Sequence, residues 1–151
     1  KYLKITDRKK EIFKTSGGKY IAPQKMENTF KESPFIEQVM VLGEGEKMPA
    51  AFVQPNFLFL EEWCQRKNID YVSEQEIVEN ERVVVRYQKE INLLNERFSS
   101  FEQVKRIELI NHVWTIESGE LTPTLKLKRK NILEKNQALY QSIYGKKPLV
   151  L

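Results

Sequence analysis

The sequence predicts an α+β fold, with a β-hairpin and a mixed β-sheet packed with helices on its faces. Three observations carry that expectation. Strand-type apolar runs stand at Ile36 to Leu42, Ala50 to Pro55 and Val104 to Ile110. Stretches of helical period separate and follow them. The 151 residues suffice for one domain, residues 1–151, with a true core, since domains most often run to about 100 to 150 residues.

Taken in order, Glu11 to Lys14 and Lys19 to Ala22 read as the arms of a hairpin, with Gly17 and Gly18 supplying the positive φ angles of its turn. Pro23 suits the first turn of a helix that runs to about Lys31 and closes before Ser33-Pro34. The strands Ile36 to Leu42 and Ala50 to Pro55 form a second hairpin across the turn-rich segment GEGEKMP. Asn56 can cap a helix from Phe57 to Lys67 that buries Phe57, Leu60 and Cys64. Ser73 opens a further helical region through the capping-box pattern Ser-Glu-Gln-Glu, with an apolar stripe at Val84, Tyr87, Ile91, Leu94 and Phe98 meant for the sheet. Val104 to Ile110 alternates as a strand, and Arg129 to Tyr140 returns to helical spacing. Between those two lies ESGELTPTLKLK, polar and turn-rich.

Composition narrows the functional classes. With 40% hydrophobic, 30% charged and 11% aromatic residues, the chain has the make-up of a soluble globular protein. No apolar run approaches the roughly 20 residues of a membrane span, and the lysine-rich start lacks the apolar core of a signal peptide, so a cytoplasmic location is expected. Cys64 and His112 are each the single residue of their type, which leaves no thiolate or imidazole cluster for a metal. Their ordinary reading is a buried thiol and a satisfied histidine. The net charge of +4 concentrates at Lys4 to Lys25 and Lys126 to Lys135, two clusters able to converge on an anionic ligand.

Two loops offer chemistry. The backbone N–H groups around Thr15 to Gly18 are unencumbered by side chains at the two glycines, so the turn can lie flat against a chain-like ligand or an anion; most glycine turns serve only the turn. Lys126 follows the proline-restrained Thr122-Pro123-Thr124 and can reach a phosphate or carboxylate as a point charge, although an exposed surface lysine is the more ordinary reading.

Together, DRKKEIFKTSGGKYIAP and, about a hundred residues later, ESGELTPTLKLKRKNI resemble the hinge-and-hairpin and catalytic-lysine motifs of the AMP-forming acyl-CoA synthetases, an adenylate-forming family, and most resemble its long-chain fatty-acid branch. The resemblance runs from Lys4 to about Tyr140. It implies that this chain is the small, mobile carboxy-terminal domain of a ligase. That enzyme activates a fatty acid with ATP to acyl-AMP and transfers the acyl group to coenzyme A, with Mg2+ on the triphosphate. It also implies that the large amino-terminal adenylation domain, which binds ATP and the fatty acid, is the partner of this chain and lies outside it, so that the isolated chain is inactive.

The same resemblance assigns residues. Asp7-Arg8 opens the hinge motif and Arg8 lies by the ribose; Lys10 falls at the hinge position, with Lys9 the competing assignment. Gly17 matches the glycine that lines the pantetheine tunnel, with Gly18 and Lys19 beside it. Lys126 matches the catalytic lysine that contacts the substrate carboxylate and α-phosphate. Leu125 stands before it where the commoner pattern has glycine, which leaves Lys128 as an alternative, while Arg129 keeps the familiar spacing.

A rival of another class is a small basic nucleic-acid-binding module, with lysine clusters on phosphates and Tyr20, Phe13 or Phe35 as stacking surfaces. Against it, 21 acidic residues are interspersed with the 25 basic ones, and no nucleic-acid motif occurs. Peripheral membrane association of the full enzyme is compatible with the same sequence.

Overall fold

All six residues of the strand Ala50–Pro55 are buried, as expected of a central strand in a sheet covered on both faces, which loses the polar alternation of a half-solvated one. The computed structural model describes residues 11–145. After the hairpin strands β1 (Phe13–Lys14) and β2 (Tyr20–Ile21) come α1 (Pro23–Phe30), β3 (Ile36–Leu42), β4 (Ala50–Pro55), α2 (Phe57–Arg66), α3 (Glu74–Glu79), α4 (Glu81–Asn95), β5 (Arg106–Leu109), α5 (Arg129–Lys135) and α6 (Gln137–Tyr144). The sheet has the order β3-β4-β5, antiparallel between β3 and β4 and parallel between β4 and β5, so it is mixed. The expected α+β class holds.

Strand geometry sends alternate residues to opposite faces, and two cores result. Val39, Val41, Ala51, Val53, Ile107 and Leu109 meet α1, α2, α3 and α4 on one face, where Ile21 also seats the β1–β2 hairpin. Met40, Leu42, Ala50 and Phe52 meet Leu121, Ile132, Tyr140 and Ile143 on the other, so α5 and α6 cover that face. Each fully buried side chain of this size contributes about 1.5–3 kcal/mol through area removed from water.

Local chemistry fixes the boundaries. Pro23 is the first residue of α1. The Asn56 side chain accepts from the Phe59 N–H at 3.1 Å and starts α2. Ser73 accepts from the Glu76 N–H at 3.1 Å, while the Glu76 carboxylate reaches the Val72 N–H at 2.7 Å, one residue upstream of the reciprocal capping-box bond. Cys64 is buried in the first core.

Four expectations need correction. The hairpin arms are shorter than Glu11–Lys14 and Lys19–Ala22 because only Phe13↔Ile21 and Lys14↔Tyr20 are paired. The region after Ser73 is two helices: Asn80 ends α3 in an extended conformation and its side chain caps α4 by accepting from the Arg82 and Val83 N–H groups. On α4, Val83, Tyr87 and Ile91 enter the core at a spacing of four, and Val84, one position round the helix, is exposed. The last helical stretch also breaks, at Asn136, into α5 and α6.

Candidate functional site

The hairpin turn is a three-residue loop. The Thr15 N–H donates to Lys19 O at 2.9 Å and the Gly18 N–H donates to Thr15 O at 3.0 Å, enclosing Ser16, Gly17 and Gly18. Gly18 has φ +86°, the left-handed position that ends such a loop and favours glycine. Gly17 does not take a positive φ, so only one of the two glycines is demanded by the turn. A Cβ at Gly17 would meet nothing within 4 Å. Its flat backbone is therefore presented outward without an internal reason. The loop is seated on the β3–β4 turn: the Ser16 N–H donates to Glu46 O at 2.9 Å and the Gly45 N–H to Lys14 O at 3.0 Å. Glu46 is buried and accepts from the Tyr140 hydroxyl of α6. The Lys19 ammonium lies 5.5 Å from the Phe101 ring centroid.

The lysine loop repeats this geometry. A bridge pairs Leu121 with Leu127, the Thr122 N–H donates to Lys126 O at 2.8 Å, and the Leu125 N–H donates to Thr122 O at 2.7 Å. The Lys126 N–H donates to the Thr122 hydroxyl at 3.0 Å. The third loop position is again left-handed, but here it is Leu125, with φ 65°. A non-glycine residue there costs about 1–2 kcal/mol, partly offset because glycine would have more freedom to lose, about 0.5–1 kcal/mol. Leu125→Gly is therefore expected to leave the melting temperature of the chain unchanged or raise it by a few degrees. A fall of more than about 5 °C, equivalent to more than ~1 kcal/mol for a domain of this size, would show that the exposed Leu125 side chain is structurally required.

Lys126 is exposed and forms no ion pair among the described residues. It lines a groove with Thr122 and Leu125 of its own loop, with Gln24 and Asn28 of α1 and with Lys31 at the end of that helix. Lys128 is exposed too, but it precedes α5, gives its N–H to Glu120 O at 2.8 Å and does not line the groove.

Behind the loop, Arg129 opens α5. Its guanidinium grips Glu27 of α1 bidentately, Nη1 to Oε2 at 2.7 Å and Nη2 to Oε1 at 2.8 Å, and its Nε donates to Glu11 at 2.5 Å. Glu27 is only 5% exposed and also accepts from the Val41 N–H at 2.7 Å. Burial pushes the Glu27 carboxyl above the usual carboxylate range, against the pull of Arg129 and the Val41 N–H. For Arg129, burial weakens its hold on the proton, but Glu27 and Glu11 more than reverse that. A second carboxylate, Glu120, stands at the base of the loop and is 1% exposed. Burial would raise it, but hydrogen bonds from Ser118, His112 and the Thr115 N–H carry it below the ordinary value. His112, half-exposed, meets Glu120 through Nε2 at 2.8 Å.

The structure thus brings Lys126 to a groove with Glu11, Glu27 and Arg129, and places Gly17, Gly18 and Lys19 on a separate turn that does not line it. Arg8, Lys10 and Lys9 lie outside the described residues. Of the proposed stacking surfaces of the nucleic-acid reading, Phe35 is buried among Phe59, Trp63 and Tyr87, and Phe13 is partly buried against the same core; only Tyr20 is open. Sequence reasoning missed Glu27 and Glu120 and gave Arg129 no partner. Glu27 and Arg129 are 102 positions apart, and no local pattern marks such a pair. Among the described residues no group of three or more His, Cys, Asp or Glu side chains is placed to hold a metal ion, and no helix is long and apolar enough to cross a membrane.

Comparison with known proteins bears on this arrangement. Residues 10–147 match the family described as AMP-binding enzyme C-terminal domain. Long-chain-fatty-acid–CoA ligase 1 of Homo sapiens is 37% identical over 151 aligned residues, covering 95% of this chain and 21% of the relative. Long-chain-fatty-acid–CoA ligase FadD15 of Mycobacterium tuberculosis is 31% identical over 146, covering 96% of this chain and 24% of the relative. The chain therefore spans about a fifth to a quarter of the length of these curated relatives. Among solved structures, the adenylation domain of a carboxylate reductase from Mycobacterium chelonae superposes with a TM-score of 0.73 at 21% identity, over 91% of this chain and 20% of that one. The corresponding domain from Segniliparus rugosus, solved with AMP and a co-purified carboxylic acid, gives 0.68 at 24% identity, over 90% of this chain and 20% of that one. At that level of identity the likeness speaks for the fold. None of these comparisons favours the nucleic-acid reading.

Proposed function

We propose, from the premise that this chain belongs to the AMP-binding enzyme C-terminal domain family, that residues 1–151 are the mobile lid of an AMP-forming long-chain fatty-acid–CoA ligase. Such an enzyme joins a fatty acid to ATP, releasing pyrophosphate and forming acyl-AMP, then passes the acyl group to the coenzyme A thiol and releases AMP. One observation carries the reading of the site: Lys126 stands exposed on a loop closed by four backbone and hydroxyl contacts, and no carboxylate of the described residues neutralises it. An ammonium held there, brought against the larger adenylation domain, stabilises charge that develops as the carboxylate attacks the α-phosphate in line.

The groove wall adds hydrogen-bonding groups of the kind a nucleotide or phosphate needs, the amides of Gln24 and Asn28 and the ammonium of Lys31. Mg2+ would arrive with the triphosphate, since the described residues of this chain offer it no cluster; it would neutralise phosphate charge. The outward-facing Gly17, with Gly18 and Lys19, serves the second step, where a bare backbone leaves room for the pantetheine arm. Arg8 serves the ribose, and Lys10 serves the hinge, which needs an exposed residue whose backbone can change conformation. A lone buried thiol, together with ATP and coenzyme A as substrates, fits an enzyme of the cytoplasm, with any membrane contact peripheral.

The premise assigns the ATP and fatty-acid sites to the adenylation domain. The isolated chain, incubated with fatty acid, ATP, Mg2+ and coenzyme A, is therefore expected to form no acyl-CoA, and the enzyme containing both parts is expected to form it. Turnover by the chain alone, read by thioester formation, would place the active site elsewhere.

A further inference from the structure

We infer that Arg129 is the positioning residue of the lysine loop, and that it works by clamping the loop to Glu27 of α1 and to Glu11, ahead of β1. This inference rests on the reading of Lys126 given above. Arg129 stands three residues after Lys126 and is the first residue of α5. Its guanidinium occupies both oxygens of Glu27 while its Nε takes Glu11. Glu27 of α1 and Glu11, the residue after Lys10, therefore meet on one planar group that stands three positions after Lys126.

The planarity matters. A guanidinium in a bidentate pair fixes direction as well as distance, whereas an ammonium is a point charge that can pivot. Glu27 is itself aimed by the Val41 N–H of β3 at 2.7 Å, so the clamp is referenced to the central sheet. The pair is inside the protein, with side chains 19% and 6% exposed. A buried ion pair is a poor source of stability compared with apolar packing, and its best-attested use is to fix register. What it registers here is the groove wall that carries Lys126 against the wall formed by α1. The Glu11 arm, half-exposed at 53%, ties the segment ahead of β1 to the same clamp.

The test uses the full-length enzyme with three variants, Arg129→Lys, Glu11→Ala and, as control, Lys126→Ala. Arg129→Lys keeps the charge and loses the fork. Acyl-adenylate formation is expected to fall about 10- to 100-fold in kcat, the scale of a misplacement of about 1 Å, with KM for ATP changed less than about 3-fold. Thioester formation from supplied acyl-adenylate should stay at the wild-type rate. Glu11→Ala removes only the exposed arm, so it cannot unfold the core, and should lower adenylation about 3-fold with the melting temperature unchanged. If Lys126→Ala collapses adenylation while both other variants run at the wild-type rate, the positioning role is wrong and the reading of Lys126 stands. If Lys126→Ala itself adenylates normally, that reading fails and this inference with it. If Arg129→Lys lowers both half-reactions equally and in step with its melting temperature, and Glu11→Ala has no effect, Arg129 is structural only.

Discussion

Replacement of Lys126 by alanine in the full-length enzyme is expected to slow acyl-adenylate formation by about 100-fold or more, the usual cost of removing one preorganised electrostatic donor from a transition state. The side chain is exposed, and the loop is closed by the Leu121↔Leu127 bridge and by bonds from Thr122 that do not involve the ammonium. Truncation should therefore leave the fold intact. Thioester formation from supplied acyl-adenylate should remain nearly normal, because in the proposed cycle the lid has by then rotated and the lysine loop has left the reacting atoms. Pyrophosphate exchange reads the first step and thioester yield the second.

Gly17→Leu is expected to produce the opposite defect. A Cβ at Gly17 has nothing within 4 Å and its φ is not positive, so a side chain there starts into open space without left-handed backbone strain. If Gly17 faces the pantetheine path, the added side chain should lower thioester formation by roughly 100-fold through displacement of the thiol from its attacking position. Pyrophosphate exchange should be unchanged. Gly18→Leu is the less informative variant, because φ +86° at that position would add about 1–2 kcal/mol of backbone strain whatever the ligand does. A Gly17→Leu enzyme with normal thioester yield would remove this turn from the coenzyme path.

Much of the fold was legible because its signals are local. Pro23 at a helix start, Asn56 and Ser73 as caps, and the continuous apolar run of β4 each act within a few residues. The errors also have local causes with distant winners. Val84 and Val83 are equally apolar and both fit a helical step to Tyr87, and only the packing of α4 in the first core shows that Val83 is the one that is buried. Gly17 and Gly18 look alike in sequence, and the loop geometry separates them. The two loops of the site were readable from glycine, proline and lysine placement. What holds the lysine loop was not, since Glu27 sits in an ordinary polar helix pattern and finds Arg129 only in three dimensions. Lys126 and Lys128 were likewise indistinguishable by charge, and the groove separates them.

Whether the exposed ammonium of the lysine loop acts in adenylation is decided by pyrophosphate exchange with Lys126→Ala and Lys128→Ala side by side. The expected result is a loss of about 100-fold or more for Lys126→Ala and a near wild-type rate for Lys128→Ala, whose backbone is engaged with Glu120 and whose side chain lies away from the groove. Exchange lost with Lys128→Ala and retained with Lys126→Ala would take the adenylation role away from Lys126.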